Sequence, residues 1–423
     1  MTVTTALEEG RLPGPGLELI GDEEIAEVVG VLRSGFLSRY GPNDDPAFGA
    51  RVRHFEQEVA RLTGVAHALA VNSGSSGIWL ALAGLGIGPG DEVIVPGFTF
   101  VASISAIVYA GALPVLAEVD ETLNLDPVDV EARITPRTRA IMAVHMLGNP
   151  ARLTELRAVA DRHGIALIED CAQAFGARYR GGGVGRIGEV GIFSFNEFKT
   201  ITCGDGGMIV TDDEDLYRRC FAMHDQGHSP FRLGIEVGRR PYLGMNFRMT
   251  ELEGAVLVAQ LGKLDVIRAH LQANKRVVES VLADLPGLAF RVLPDPDGDL
   301  ATHFVTIVPS GEIARGVARD LGAIVLADSG WHVYNHMEHL LERRTITGKG
   351  CPFDCPCQGT SDARYRAGML PRTDALLERS ISFGIGVSDP NLAPFGLRMR
   401  DGPDVARERA TRFREVASRY LEG

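Results

Sequence analysis

Residues 191–211 read GIFSFNEFKTITCGDGGMIVT. The stretch begins apolar at Gly191 and closes on Met208-Ile209-Val210-Thr211, a run with the length and character of a buried strand. Between the two strand-like runs stands one lysine, Lys199, followed by Gly204, Gly206 and Gly207. A lysine in an apolar pocket loses solvation, so its pKa falls and its free amine becomes a nucleophile toward carbonyls. The same lysine in a solvated loop has no such chemistry. The stretch by itself is compatible with both readings.

Working outward, residues 64–211 alternate between apolar runs and helical patterns. Strand-like runs fall at Ala68-Val71, Glu92-Val95, Pro114-Val119, Ala140-His145, Ala166-Glu169 and Met208-Thr211. Helix-like segments lie between several of them, at Ser76-Leu85, Val101-Ala110, Pro127-Ile134 and Ala151-His163. Alternating β and α predicts a mostly parallel central sheet flanked by helices, an α/β fold. The apolar stretch from Val93 is broken by Pro96, Gly97, Gly111 and Pro114 into strand, helix and strand lengths, which argues against a membrane span. Beyond it, residues 249–285 read as one long helix with Thr250 as N-cap and Glu253 three residues on. That helix leads to a second, smaller α/β unit, giving expected domains of 1–270, including an N-terminal arm, and 271–423. Strand signals at Ala301-Val308 and Ser380-Gly386 belong to the second.

Composition narrows the function. The chain has 423 residues, 45% apolar and 23% charged, with a formal charge of −12. An acidic chain without a basic segment is poor material for a nucleic-acid or anionic-membrane partner. The first residues, MTVTTALEEGRLPG, are polar and acidic, so they make no secretory signal. The expectation is a cytoplasmic protein whose six cysteines are free thiols.

Four features fall at predicted strand ends, where open α/β sheets bind ligands. Asn72-Ser73-Gly74-Ser75-Ser76-Gly77 opens a helix after Val71, offering free N–H groups, hydroxyls and the helix dipole to an anion, or simply a serine-rich cap. The strand ALIEDCAQAFGA delivers Glu169 and Asp170, and Asp170 reads either as the partner of a protonated heterocycle nitrogen or as a helix cap. Phe98 and Phe100 follow another strand, as a stacking face or as core. Lys199 is the fourth. Together, phosphate cup, aromatic, strand-end acid and lysine are the parts that a pyridoxal phosphate site needs.

NSGSSG, VPGFTFVAS, IEDCAQAFGA, FSFNEFKTITCGDGGMIVTDD and GMNFRMTELEGAV, in this order, resemble the DegT/DnrJ/EryC1/StrS family of fold-type I pyridoxal-phosphate sugar aminotransferases. The resemblance implies Lys199 as the Schiff-base and proton-shuttling lysine and Asp170 as the acid that keeps the pyridine nitrogen protonated. It implies Gln173 near the ring hydroxyl and Phe100 as the stacking aromatic. Gly74, Ser75, Ser76 and Ser194 become phosphate-side contacts, and Asn246 the residue that reaches the phosphate of a neighbouring subunit in a homodimer. The implied reaction moves an amino group from L-glutamate or L-glutamine to a keto group on a sugar, cyclitol or related intermediate of secondary metabolism. Two alternatives stand beside it: a lyase of the aromatising amino-shikimate type, and a non-catalytic regulator that binds the cofactor. Many relatives read FSFHPTKN where this chain reads FSFNEFKT, so Asn196, Glu197, Phe198 and Thr200 change the surroundings of the lysine. The C-terminal stretch from Trp331 resembles the subset handling modified sugars, including the 8-amino-octulosonate type.

Two further groups of residues stand outside this set. Cys351, Cys355 and Cys357 with His332, His336 and His339 suggest zinc, but C-x3-C-x-C is not a paired-cysteine knuckle, and the expectation is no metal. His224, His228, Arg239 and Arg240 read as solvated surface or as contacts to an anionic substrate group.

Overall fold

The structure, a computed structural model, describes residues 13–42, 44–230, 240, 242–346, 348–355 and 365–422. Arg239, Cys357 and most of the N-terminal arm lie outside the described residues. The chain carries strands β1 (His67–Val71), β2 (Glu92–Pro96), β3 (Leu113–Ala117), β4 (Thr138–Val144) and β5 (Ala166–Asp170). A small hairpin, β6 (Arg178–Tyr179) and β7 (Gly182–Gly183), precedes β8 (Val190–Ser194) and β9 (Gly207–Thr211).

Seven of these form one sheet in the order β1-β9-β8-β5-β4-β2-β3. The pairs β2/β3, β2/β4, β4/β5 and β5/β8 are parallel, and β9 runs antiparallel to both β1 and β8. Helical crossovers link most of the parallel strands, as parallel pairing requires. The carboxyl ends of β1, β2, β5 and β8 therefore meet at one edge. The link from β8 to the antiparallel β9 needs no crossover helix, and this short link holds Lys199 at the same edge.

The strands are buried on both faces, and two apolar layers cover them. One holds Val52, Phe55, Leu153, Leu156 and Leu257. The other holds Ile78, Leu82, Ile104, Ile107, Leu216 and Phe221. The stretch from Val93 divides into β2, the helix Val101–Tyr109 and β3, all within this core. No helix among the described residues is long and apolar enough to cross a membrane.

Residues 249–285 depart from the expected single helix. The capping box of Thr250 and Glu253 forms, but the helix ends at Leu261 and a second begins at Leu264. Gly262 weakens the join, and Lys263 is drawn aside, its ammonium bonding the Leu19 carbonyl at 2.7 Å and Glu24 at 2.8 Å. The second sheet comprises β10 (Ala289–Phe290), β11 (His303–Ile307), β12 (Ile324–Val325), β13 (Ser380–Ile385) and β14 (Gly396–Leu397). Its order is β10-β11-β13-β12, with β14 on β13. Helices Leu264–Leu282, Gly311–Leu321 and Pro403–Leu421 pack with it.

The expectation of free thiols fails at one place. Cys351 and Cys355 are joined, because their loop brings the two Cα atoms to 4.9 Å, within the span of a disulfide. Cys171, Cys203 and Cys220 are free.

Candidate active site

Alternation along β5 sends its two terminal acids to opposite faces of the sheet. Glu169 turns to the closed face. Its oxygens accept N–H bonds from Gly185, Ile187 and Gly188 at 2.8, 2.6 and 2.7 Å, and His145 Nε2 lies 3.1 Å away. The Ala151 N–H donates to His145 Nδ1, which leaves Nε2 to donate to Glu169. Burial alone raises the Glu169 carboxyl; the His145 contact and these N–H donors outweigh it and hold the group low. Glu169 is thus a structural staple for the loop before β8. The buried trio His145, Glu169 and Cys171 has its ligand atoms close together, but the Glu169 carboxylate and both His145 nitrogens are spent on these bonds.

Asp170 turns to the open face and lines a cavity of about 510 Å³. The Ser103 hydroxyl donates to its Oδ2 at 2.7 Å and the Ala172 N–H to its Oδ1 at 3.1 Å. Thr99 Oγ1 lies 2.8 Å from Ser103 Oγ, extending the chain of hydroxyls. Burial pushes the Asp170 carboxyl up, and Ser103, Ala172 and Lys199 oppose it.

Lys199 lines the same cavity. Burial lowers its pKa, against the opposing charges of Asp170 and Asp389. Its backbone is held from two sides: its N–H donates to Asn196 O at 2.9 Å and its carbonyl accepts from Gly16 N–H at 3.3 Å. The glycines after it have distinct uses. Gly204 turns the chain at φ 94°, and a Cβ on Gly207 would meet the Ser73 carbonyl carbon at 2.5 Å. The close approach is therefore between β9 and the backbone of the serine cup.

In that cup Ser73 caps the helix Gly74–Gly84 by accepting from Ser76 N–H. The N–H groups of Gly74 and Ser75 open the helix and have no intrahelical acceptor. Gly74, Ser75 and Ser194 line the cavity; a Cβ on Gly74 would sit 2.8 Å from Ser194 Cβ. Ser76 does not line it, its hydroxyl being bonded to Asn72 Oδ1 at 2.6 Å. Gln173 lines the cavity and accepts from Leu147 N–H at 2.8 Å. Phe100 is 43% exposed at the mouth, its ring 5.4 Å from that of His332. Asn246 stands apart from the cavity of its own chain, in a segment pinned by the Arg248–Asp225 ion pair. Around Lys199, Asn196, Phe198 and Thr200 line the cavity while Glu197 is exposed.

Other lining residues come from the second sheet and its loops: Thr302, His303, Trp331, His332, Asp389 and Asn391. His332 Nδ1 lies 2.9 Å from the Ser329 hydroxyl and His303 Nδ1 lies 3.0 Å from that of Thr302. Both imidazoles are pushed down to about 3, chiefly by burial, with Arg291 adding to His303 and Lys199 to His332. Sequence reasoning missed Ser103, although Thr99 and Ser103 are a polar i, i+4 pair in an apolar helix start. It also missed His303 and Asp389, for which no local signal exists.

The remaining candidates fall elsewhere. His224 is neither surface nor substrate contact: it is buried, donates from Nδ1 to Phe221 O, and accepts from Arg39 through Nε2 at 3.2 Å. His228 and Arg240 do not line the cavity. His336 Nε2 donates to the Ala327 carbonyl at 2.9 Å, away from the paired cysteines.

A buried acid at one wall, a lysine of lowered pKa beside it, a helix-start anion cup and an aromatic at the mouth define a fold-type I cofactor enzyme. A sequence profile of the DegT/DnrJ/EryC1/StrS aminotransferase family matches residues 18–322, and the chain belongs to that family. Pyridoxal phosphate is its cofactor, and the cavity fits it, with the open N–H groups of Gly74 and Ser75 for the phosphate and the buried Asp170 for the ring nitrogen. The chain is similar to GDP-perosamine synthase of Caulobacter vibrioides, 45% identical over 54% of this chain and 60% of that protein. It is 38% identical to L-glutamine:2-deoxy-scyllo-inosose aminotransferase of Streptomyces paromomycinus over 76% of this chain and 75% of that one. Among solved structures, DesV of S. venezuelae in complex with a ketimine intermediate aligns with a TM-score of 0.71 and 32% identity, covering 100% of this chain and 98% of that one.

Proposed function

We propose that the protein transfers an amino group from L-glutamate or L-glutamine to a keto group on a sugar, cyclitol or related polyhydroxylated intermediate. The observation that carries this reading is the pairing, in one cavity, of a lysine lowered by burial with a buried acid braced by Ser103. When bound, pyridoxal phosphate supplies the electron sink that makes the donor's α-hydrogen acidic. Lys199 Nζ, neutral more readily than an exposed lysine, takes that α-proton and, in the reverse direction, returns a proton to the acceptor carbon. Asp170 would keep the ring nitrogen protonated, the N–H groups of Gly74 and Ser75 with Ser194 would hold the phosphate, and Gln173 would meet the ring hydroxyl. The relatives' printed names, a glutamine-dependent inosose aminotransferase and a perosamine synthase, support the donor and acceptor classes.

Asn246 lies away from its own cavity, which supports a homodimer in which it serves the partner's phosphate. We also place the division between the larger and smaller units near residue 270, within the helix Leu264–Leu282. The test is a paired product analysis. The holoenzyme incubated with L-glutamate or L-glutamine and 2-deoxy-scyllo-inosose should give an amino-cyclitol and one equivalent of keto acid, and Lys199→Ala should give neither. A product that has lost water, with no keto acid released, would replace this reading with a lyase.

A further inference from the structure

We propose that Asp389 selects the acceptor by accepting hydrogen bonds from its hydroxyl groups; the proposal rests on the aminotransferase reading above. The charge lining the cavity is lopsided. Lys199 is the only lysine or arginine among the described lining residues, whereas Asp170, Asp205 and Asp389 all line it. Asp170 is engaged by Ser103 and Ala172. Asp205 faces the Asn196 amide at 3.3 Å. Asp389 spends Oδ1 on the Asn391 N–H at 2.7 Å, and its Oδ2 has no hydrogen-bond partner among the described residues.

The carboxylate is held in place. The Leu392 and Ala393 N–H groups bond the Asp389 carbonyl at 3.2 and 2.7 Å, and the neighbouring Ser388 N–H bonds the Pro13 carbonyl at 2.9 Å. It lines the same cavity as the reacting amine, and its charge is one of the two that oppose the lowering of Lys199. A second, independent observation lies on the same side. His303 is 8% exposed, lines the cavity, and carries an Nε2 with no partner among the described residues. Its low pKa leaves it neutral, a polar group for a neutral ligand atom.

Chemistry selects what such a wall takes. A fixed carboxylate repels the carboxylate of an amino donor and the phosphate of the cofactor. It accepts hydroxyl hydrogens in short, charge-assisted bonds. The exposed face of Trp331 nearby offers apolar contact to the C–H face of a ring. The wall therefore fits a ring rich in hydroxyls, placed with its carbonyl toward Lys199.

The experiment separates the two half-reactions of the holoenzyme in single turnover, for wild type and Asp389→Asn. Asparagine keeps an oxygen for the Asn391 N–H and removes the charge. Expected is a rise in Kd for 2-deoxy-scyllo-inosose of about tenfold to a hundredfold, the span for losing charge-assisted hydrogen bonds. The half-reaction with L-glutamate should hold or quicken, because the variant removes a charge that repels the donor's carboxylate, and the reverse one with cyclohexanone, a ketone without hydroxyls, should change by less than about threefold. Asp389→Glu should recover part of the affinity. Equal slowing of all three reactions would overturn the proposal by placing Asp389 behind the lysine. Unchanged affinity for the hydroxylated ketone would overturn it while leaving the aminotransferase reading intact. A wild type that takes the amino group from glutamate and passes it to no hydroxylated ketone would remove the acceptor class and this proposal together.

Discussion

Gly16→Ala is the most informative perturbation of the lysine loop that leaves the cavity untouched. Gly16 sits in the short helix Pro15–Glu18, its N–H bonded to the Lys199 carbonyl at 3.3 Å. Its backbone permits alanine, and helix propensity alone would favour the change. Space does not. A Cβ there would lie 2.8 Å from Ile201 Cα and from Thr202 N, and 2.7 Å from Gln260 Oε1. Carbon pairs settle near ~3.5 Å, so the Ile201 contact is short by about 0.7 Å. The glutamine end can swing away; the backbone at Ile201, two residues from the lysine, cannot move without carrying Lys199 along. Overpacking of this kind costs about 1–3 kcal/mol. A shift approaching 1 Å at a reacting group costs on the order of a hundredfold in rate.

The assay is the single-turnover half-reaction with L-glutamate, followed through the lysine–cofactor absorbance, with Tm measured on the same samples. Gly16→Ala should lower both. Gly30→Ala is the control, because a Cβ there meets nothing within 4 Å; it should leave the rate alone and hold or raise Tm. A Gly16→Ala protein that loses stability but keeps its wild-type rate would refute the idea that this segment positions the lysine.

Two further outcomes follow from the electrostatics. Burial raises the Asp170 carboxyl, so the folded chain binds that proton more tightly than the unfolded one, and stability is lost as pH rises through the window above the ordinary value of 3.8. At pH 7 that cost is present in the cofactor-free protein; Asp170→Asn should remove it and raise or hold Tm, while slowing the glutamate half-reaction by roughly a hundredfold or more. A drop of several degrees in the cofactor-free Tm would contradict this. His303 and His332, both near 3, stay neutral across pH 5–8, so neither His303→Gln nor His332→Gln should remove a limb from the pH–rate profile in that range; a lost limb near pH 6–7 in either variant would show the assignment wrong.

The sequence made the first half of the site legible because each part announces itself locally. Strand-end residues after apolar runs fix where Ser75, Phe100, Asp170 and Lys199 emerge, and alternation separates Asp170 from Glu169. The second half was not legible for a physical reason. His303 and Asp389 reach the cavity only because the second sheet folds back over the first, and a contact of that sequence separation leaves no periodic trace. The break at Gly262 was missed because the apolar pattern runs on across it, while its cause, the pull of Glu24 and the Leu19 carbonyl on Lys263, is tertiary. His224 misled for the opposite reason: a polar letter near charged neighbours turned out to be a buried ring.

The site is also split along the gene. Ser75, Phe100, Asp170 and Lys199 precede residue 212, while His303, Trp331 and Asp389 follow residue 300. Recombination between residues 247 and 300 would exchange the wall that carries Asp389 and inherit the proposed cofactor contacts, Asn246 included, together. Several contacts cross that divide, among them Thr99 N–H to the His332 carbonyl and Tyr334 N–H to the Gly97 carbonyl, and one segment touches both sides. The segment from Pro13 to Glu18 grips the lysine loop through Gly16 and the far wall through Ser388 and Met399. A hybrid chain would have to match its first few residues to its last hundred, and the short strap before the first long helix sets how freely the two halves of this enzyme can be shuffled in descent.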